Sequence, residues 1–141
     1  MIPEPEPMIY PHDEVTMPWE ACDAQGRPIS LRVLDTIYHI RWDEYVLGEI
    51  AQMDGAVSRD PPLILISSRL TPLNTANTLL HEITHAICRM VDRKKSEFTG
   101  EDVCERAAQI ATVWMDNPAT FRWLDSLIGT ARRPILEIAR S

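Results

Sequence analysis

The sequence predicts an α+β fold in which a small mixed β-sheet packs on an amphipathic helix and two more helices follow. Three observations predict it. Runs rich in β-branched and aromatic residues fall in the first half of the 141-residue chain and end at Ile66. Runs with apolar residues three or four apart fill the second half. Pro72, the Asn117-Pro118 pair and Gly129 divide that second half into separate helical segments.

In chain order, residues 1–18 hold five of the eleven prolines, with Glu4, Glu6, Asp13 and Glu14 among them. Proline fixes φ and removes a backbone donor, so this stretch reads as an extended or disordered acidic arm, and residues 19–141 as one domain. Residues 19–28 read as a connector that turns near Gly26. A strand is expected over 34–41, preceded by a short helical or irregular piece, and further strands over 45–53 and 63–66. The Asp54-Gly55 pair marks a turn between the last two. Thr71 suits an N-cap and Pro72 the first position of a helix over 72–92, whose basic end at Arg93-Lys94-Lys95 complements the helix dipole. Thr99 with Asp102 opens a helix over 100–116. A last helix over 118–128 stops at Gly129, and Pro134 sets off a short tail.

The formal charge of -7 and the pI near 5.0 exclude a broad basic surface for nucleic acid. No apolar run reaches membrane-spanning length, and the start lacks the basic and apolar regions of a signal peptide, so a soluble cytoplasmic protein without membrane partners is expected. Cys22, Cys88 and Cys104 form no Cys-x-x-Cys pair. Their odd number argues against a disulfide framework and for small buried filler.

Within the 72–92 helix the sequence His81-Glu82-Ile83-Thr84-His85 carries chemistry. Residues four apart on an α-helix stack on one face, so His81 and His85 can direct both imidazoles at one metal ion, with Glu82 beside them as a general base. Leu73, Ala76, Leu80, Ile83, Ile87 and Met90 make an apolar stripe on roughly the opposite side. A catalytic zinc takes three protein ligands and keeps one open position. The chain has four histidines and none follows the motif, so families that use a later histidine fit poorly. The downstream carboxylates are Glu97, Glu101, Asp102, Glu105 and Asp116. Glu105 is preferred and Glu101 is its main rival. Glu105 shares a side with Ala108 and Thr112, small residues that let two antiparallel helices approach, while Val103, Ala107, Ile110, Ala111 and Trp114 form an apolar side.

The pair His81-Glu82-x-x-His85, followed by Glu105-Arg106-Ala107-Ala108, resembles the gluzincin clan of zinc metallopeptidases, most of all its minimal single-domain members. The resemblance covers about residues 78–109. It implies a zincin-like fold with Glu105 on a glutamate helix after the active-site helix. Gln109 stands where one form of the clan's second motif carries an acid.

The activity so implied is hydrolysis of a peptide or protein substrate, with one zinc per chain held by His81, His85 and Glu105 and with Glu82 as base. Tyr38, His39 and Tyr45 are candidates to stabilise the oxyanion, none favoured by position. An edge strand, either 63–66 or the hairpin before it, is expected to pair with an extended peptide. His12, Asp13 or Glu14 of the arm is a candidate to fill zinc's open position and hold the enzyme latent. The alternatives are a zinc site that only ties helices together and a regulatory interaction protein on a peptidase scaffold.

Overall fold

A computed structural model describes residues 16–47, 52–91 and 100–140 of the protein, with side chains for all of these except 52, 91 and 130–140. The arm as far as residue 15, including His12, Asp13 and Glu14, lies outside the described residues, as does the Thr99 cap. Strands β1 (Ala21–Cys22), β2 (Pro28–Val33), β3 (Thr36–Asp43), β4 (Val46–Leu47), β5 (Gln52–Met53), β6 (Gly55–Ser58) and β7 (Leu63–Ser67) precede helices α1 (Pro72–Val91), α2 (Gly100–Asp116) and α3 (Pro118–Arg140). The architecture is the expected α+β one. Its main sheet is mixed, in the order β1-β2-β3-β7-β6, with β3 and β7 parallel and the other neighbours antiparallel.

Side chains alternate across each strand, and one face of the sheet is buried. Along β3, Tyr38 and Ile40 point into the core while Ile37, His39 and Arg41 are exposed. Leu31, Val33, Ile64 and Ile66 complete the buried sheet face, and Ala76, Leu79, Ile83, Ala86 and Ile87 of α1 pack on it. Phe121 and Leu124 of α3 close the same core. Thr71 acts as the cap of α1, accepting from the Asn74 amide at 3.3 Å. The stripe differs from expectation at two ends: Leu73 is 45% exposed, whereas Leu79 and Ala86 are fully buried. Helical twist moves the core-facing row to 76, 79, 83, 86 and 87, and the spacing alone does not separate these two registers.

Several boundaries move as well. Residues 28–33 form strand β2, and Leu34-Asp35 make the hairpin turn to β3, with Leu34 at φ 57° and Val33 opposite Thr36. The strand expected over 45–53 is a two-stranded ribbon, β4 against β5. Gly55 opens strand β6 at the edge of the main sheet, so the 63–66 run lies inside the sheet and is not its edge. Helix α3 continues past Gly129 and through Pro134 to Arg140.

The residues read as a connector are tied down. Glu20, 6% exposed, accepts from the amides of Met17 (3.0 Å) and Thr120 (2.8 Å) and from the Thr120 hydroxyl (3.0 Å). It thereby caps the N-terminus of α3. Asn117, fully buried, donates to the carbonyls of Arg32 and Val113 and accepts from the Arg32 amide and Trp19 Nε1. All of its amide atoms are used, which fixes the α2–α3 corner against β2.

Candidate metal centre

Helix α1 presents His81 and His85 on its exposed side, with Nε2 atoms 3.0 Å apart and rings edge to face at 4.5 Å between centroids. Two nitrogens bound to one tetrahedral zinc at about 2.0–2.1 Å each lie roughly 3.3 Å apart. The pair is therefore within a few tenths of an ångström of the separation that zinc requires, and two neutral imidazoles are a fitting donor set. Their convergence follows from helix geometry alone: the i, i+4 spacing sets it without help from the rest of the fold.

Glu82 differs from its neighbours in being only 6% exposed. It lies on the flank of α1 that meets β6. Burial pushes its carboxyl above the usual carboxylate range, and His81, His85 and Arg89 pull it partly back. Among the described residues its oxygens take part in no hydrogen bond. Its side chain lines a cleft of about 430 Å³, walled by Met53, Asp54 and Gly55 on one side and Asn74, Asn77 and Thr78 on the other. A buried carboxylate with a raised pKa beside a histidine pair is the arrangement expected of a group that takes and returns a proton.

Gly55 lets the edge strand approach the helix this closely. A Cβ there would stand 2.7 Å from Thr78 Cγ2, 3.0 Å from the Leu65 carbonyl oxygen and 3.2 Å from Glu82 Cγ. One turn beyond His85, Arg89 donates through Nη1 to the Val57 carbonyl at 2.6 Å and pins β6 to the same helix. Neither role is visible in the sequence, where Gly55 reads as a turn residue and Arg89 carries no signal. The Asp-Gly pair was the signal for Gly55, since a glycine next to a strand also marks close backbone approach.

Glu105 is on α2, which packs beside α1. Its carboxylate is 60% exposed and takes a bond from Arg106 Nη2 at 3.0 Å. The buried residues of α2 are Asp102, Arg106 and Val113, so neither the Glu105 side nor the expected apolar side is the inward one. Val103 and Trp114 are 56% and 50% exposed. Among the described residues no group of three His, Cys, Asp or Glu side chains is placed to hold a metal. The structure thus brings His81, Glu82 and His85 together and leaves Glu105 apart from them. Tyr38, His39 and Tyr45 do not line the cleft: Tyr38 faces the core, His39 lies on the exposed sheet face, and Tyr45 sits under the Arg69 guanidinium.

No helix among the described residues is long and apolar enough to cross a membrane. No curated protein and no solved structure matches the chain. One family model does, Peptidase_M78, described as the IrrE N-terminal-like domain, over residues 43–115. That span is just over half of the chain and runs from the end of β3 through α1 and almost all of α2, so it contains His81, Glu82, His85 and Glu105. The chain therefore belongs to the IrrE N-terminal-like domain family, a zincin-like, metallopeptidase-related group.

Proposed function

We propose that the protein is a zinc-dependent peptidase that hydrolyses peptide bonds, with His81 and His85 holding the metal and Glu82 as general base. The observation that carries this reading is the buried Glu82 side chain beside the converged imidazoles, lining a cleft. When bound, zinc supplies a Lewis acid that lowers the pKa of a water molecule and polarises a carbonyl. Glu82 takes a proton from the attacking water and returns it to the departing amine. Its raised pKa favours holding that proton between the two transfers.

Glu105 is the proposed third ligand. Its motif resemblance and its place on the helix beside α1 support this, and the Arg106 guanidinium that now holds its exposed carboxylate has Gln109 as a second partner. The edge strand β6 is the proposed docking rail for an extended peptide. The Ser67 amide donates to the Asp54 carbonyl at 2.8 Å, and hydrogen-bonded pairs alternate along an antiparallel ladder. Gly55 and Val57 therefore direct their backbone groups outward from the sheet. The Val57 carbonyl is taken by Arg89 and Gly55 is buried, so the Val57 amide is the group offered to a substrate strand.

A regulatory role on the same scaffold is the second reading, favoured by the exposed position of Glu105 away from the histidine pair. Turnover separates the two. Zinc-loaded protein should cleave members of a random peptide library at defined bonds, and Glu82→Gln protein should not. A parent protein that binds zinc and cleaves no peptide would favour the regulatory reading.

A further inference from the structure

We infer that the protein binds a carboxylate of its substrate beside the metal centre, between the Arg89 guanidinium and the Val57 amide. This rests on the peptidase reading above and goes on to name a chemical feature of the substrate. His81, His85 and Arg89 follow one another at intervals of four on α1 and all three are exposed, so the face that holds the histidine pair carries a cation one turn further on. A rise of 1.5 Å per residue sets Arg89 roughly 6 Å beyond His85 along the helix axis. Its charge also reaches Glu82, whose ionised form it favours.

The Arg89 head group is fixed in place and only partly used. Nη1 donates to the Val57 carbonyl at 2.6 Å, which ties the guanidinium to the outer edge of β6. A guanidinium carries five N–H donors, and among the described residues Arg89 faces no carboxylate within ion-pair distance. The amide of the half-buried Val57 points outward on the same edge, where β6 has no further strand of its sheet beside it. One residue of the strand thus offers a backbone donor next to a cation anchored on its own carbonyl. A carboxylate has two oxygens, so one can accept from the Val57 amide while the other takes charge-assisted bonds from Arg89. Because the guanidinium is already held, little side-chain freedom is lost on binding. Arg59 is a second exposed cation two residues after Val57, but Asp60 follows it directly and offsets its field, which leaves Arg89 as the residue assigned. The formal charge of -7 gives the chain no general attraction for acidic peptides, so a preference for a carboxylate would report a local site.

Such a carboxylate comes from a Glu or Asp side chain or from a free C-terminus, and binding separates the two. Pools of short fluorescent peptides, random in residues other than Asp and Glu, would carry a central Glu or Gln and end in an acid or an amide. They would be titrated into full-length Glu82→Gln protein, which does not cleave them. Zinc-loaded and chelator-treated forms are compared, because a carboxylate can also bind the metal directly, whereas the Arg89 contribution is present in both. At least one carboxylate-bearing pool should bind about tenfold tighter than the Gln pool ending in an amide. A gain in the Glu pool identifies a side chain, and a gain in the acid pool a C-terminus. Adding Arg89→Gln, which keeps a donor for the Val57 carbonyl, should reduce the ratio to about twofold or less, Arg89→Lys should retain part of it, and Arg89→Glu should reverse it. Urea midpoints report whether each variant is folded, and the ranking of the pools on protein with Arg89 intact needs none of them. Equal affinity for all pools, no measurable binding of any pool, or an unchanged preference in folded Arg89→Gln protein would overturn the inference. Carboxylate selectivity without cleavage of any peptide by the parent would leave the inference standing and remove the peptidase reading, and cleavage without that selectivity would do the opposite.

Discussion

Glu20 and Glu82 are equally buried, each 6% exposed, and they are treated in opposite ways. Glu20 is surrounded by donors, the Met17 and Thr120 amides and the Thr120 hydroxyl, and it locks the start of α3 to the N-terminal strands. Glu82 has no such donors among the described residues. It lines the cleft beside the two histidines, and burial raises its pKa. Removing a carboxylate from water is costly unless hydrogen bonds replace the hydration shell. Where the bonds are supplied, the residue serves the fold. Where they are withheld beside a pair of histidines, burial raises the pKa, as the proposed role of general base requires.

The largest expected effect breaks this pairing from the catalytic side. Glu82→Gln should lower peptide hydrolysis by about 10² to 10⁴-fold while leaving zinc content and fold intact. Single-turnover assays with metal analysis on the same preparation check both halves. A third carboxylate, the exposed Glu105, sharpens the contrast. If it joins the metal, Glu105→Ala should weaken zinc binding by about 100-fold or more, since even residues that only orient a ligand are worth about 10 to 100-fold. Glu101→Ala should change it little, and competition with a chelator of known affinity ranks the two. The reverse order would move the ligand by one turn of α2.

From the structural side, Glu20→Ala strands the Thr120 and Met17 donors and should cost about 2 to 3 kcal/mol of stability in urea unfolding, with zinc content unchanged. Gly55→Ala should cost about 1 to 3 kcal/mol through the forced contact with Thr78, and pairing it with Thr78→Ser should recover part of the loss. The smallest effect concerns pH in chelator-treated protein. Below the ordinary carboxylate pKa, Glu82 is protonated folded or unfolded and imposes no penalty. As pH rises through the window between that value and its raised folded pKa, the unfolded chain releases a proton that the fold retains, and stability falls. Glu82→Gln should therefore be more stable than the parent at pH 7, and the difference should vanish near pH 4. Thermal unfolding at the two values checks the sign.

What the sequence made legible follows from range. The convergence of the histidine pair, with Glu82 beside it, is set by spacing within one helix, so that geometry was legible in the motif. The three helices were legible from periodicity and from Pro72 and Pro118, and the strand-forming runs gave the sheet its place in the first half. The anchoring roles of Trp19 and Glu20 depend on partners about one hundred positions away, which no local pattern carries. Strand β6, Gly-Ala-Val-Ser, has neither length nor alternation to announce itself and exists through pairing with β7. On α2, the buried row contains an aspartate and an arginine, so a search for an apolar side selects the wrong face. Arg89 reaches 32 positions back to Val57, and that bond, too, is settled by tertiary packing.

The most direct test is the zinc content of the purified protein measured beside that of the His81→Ala/His85→Ala double variant. Both should be prepared without chelator and shown to be folded. The parent should carry one zinc per chain and the double variant essentially none. A folded double variant that still holds one equivalent of zinc would contradict the metal centre at its root.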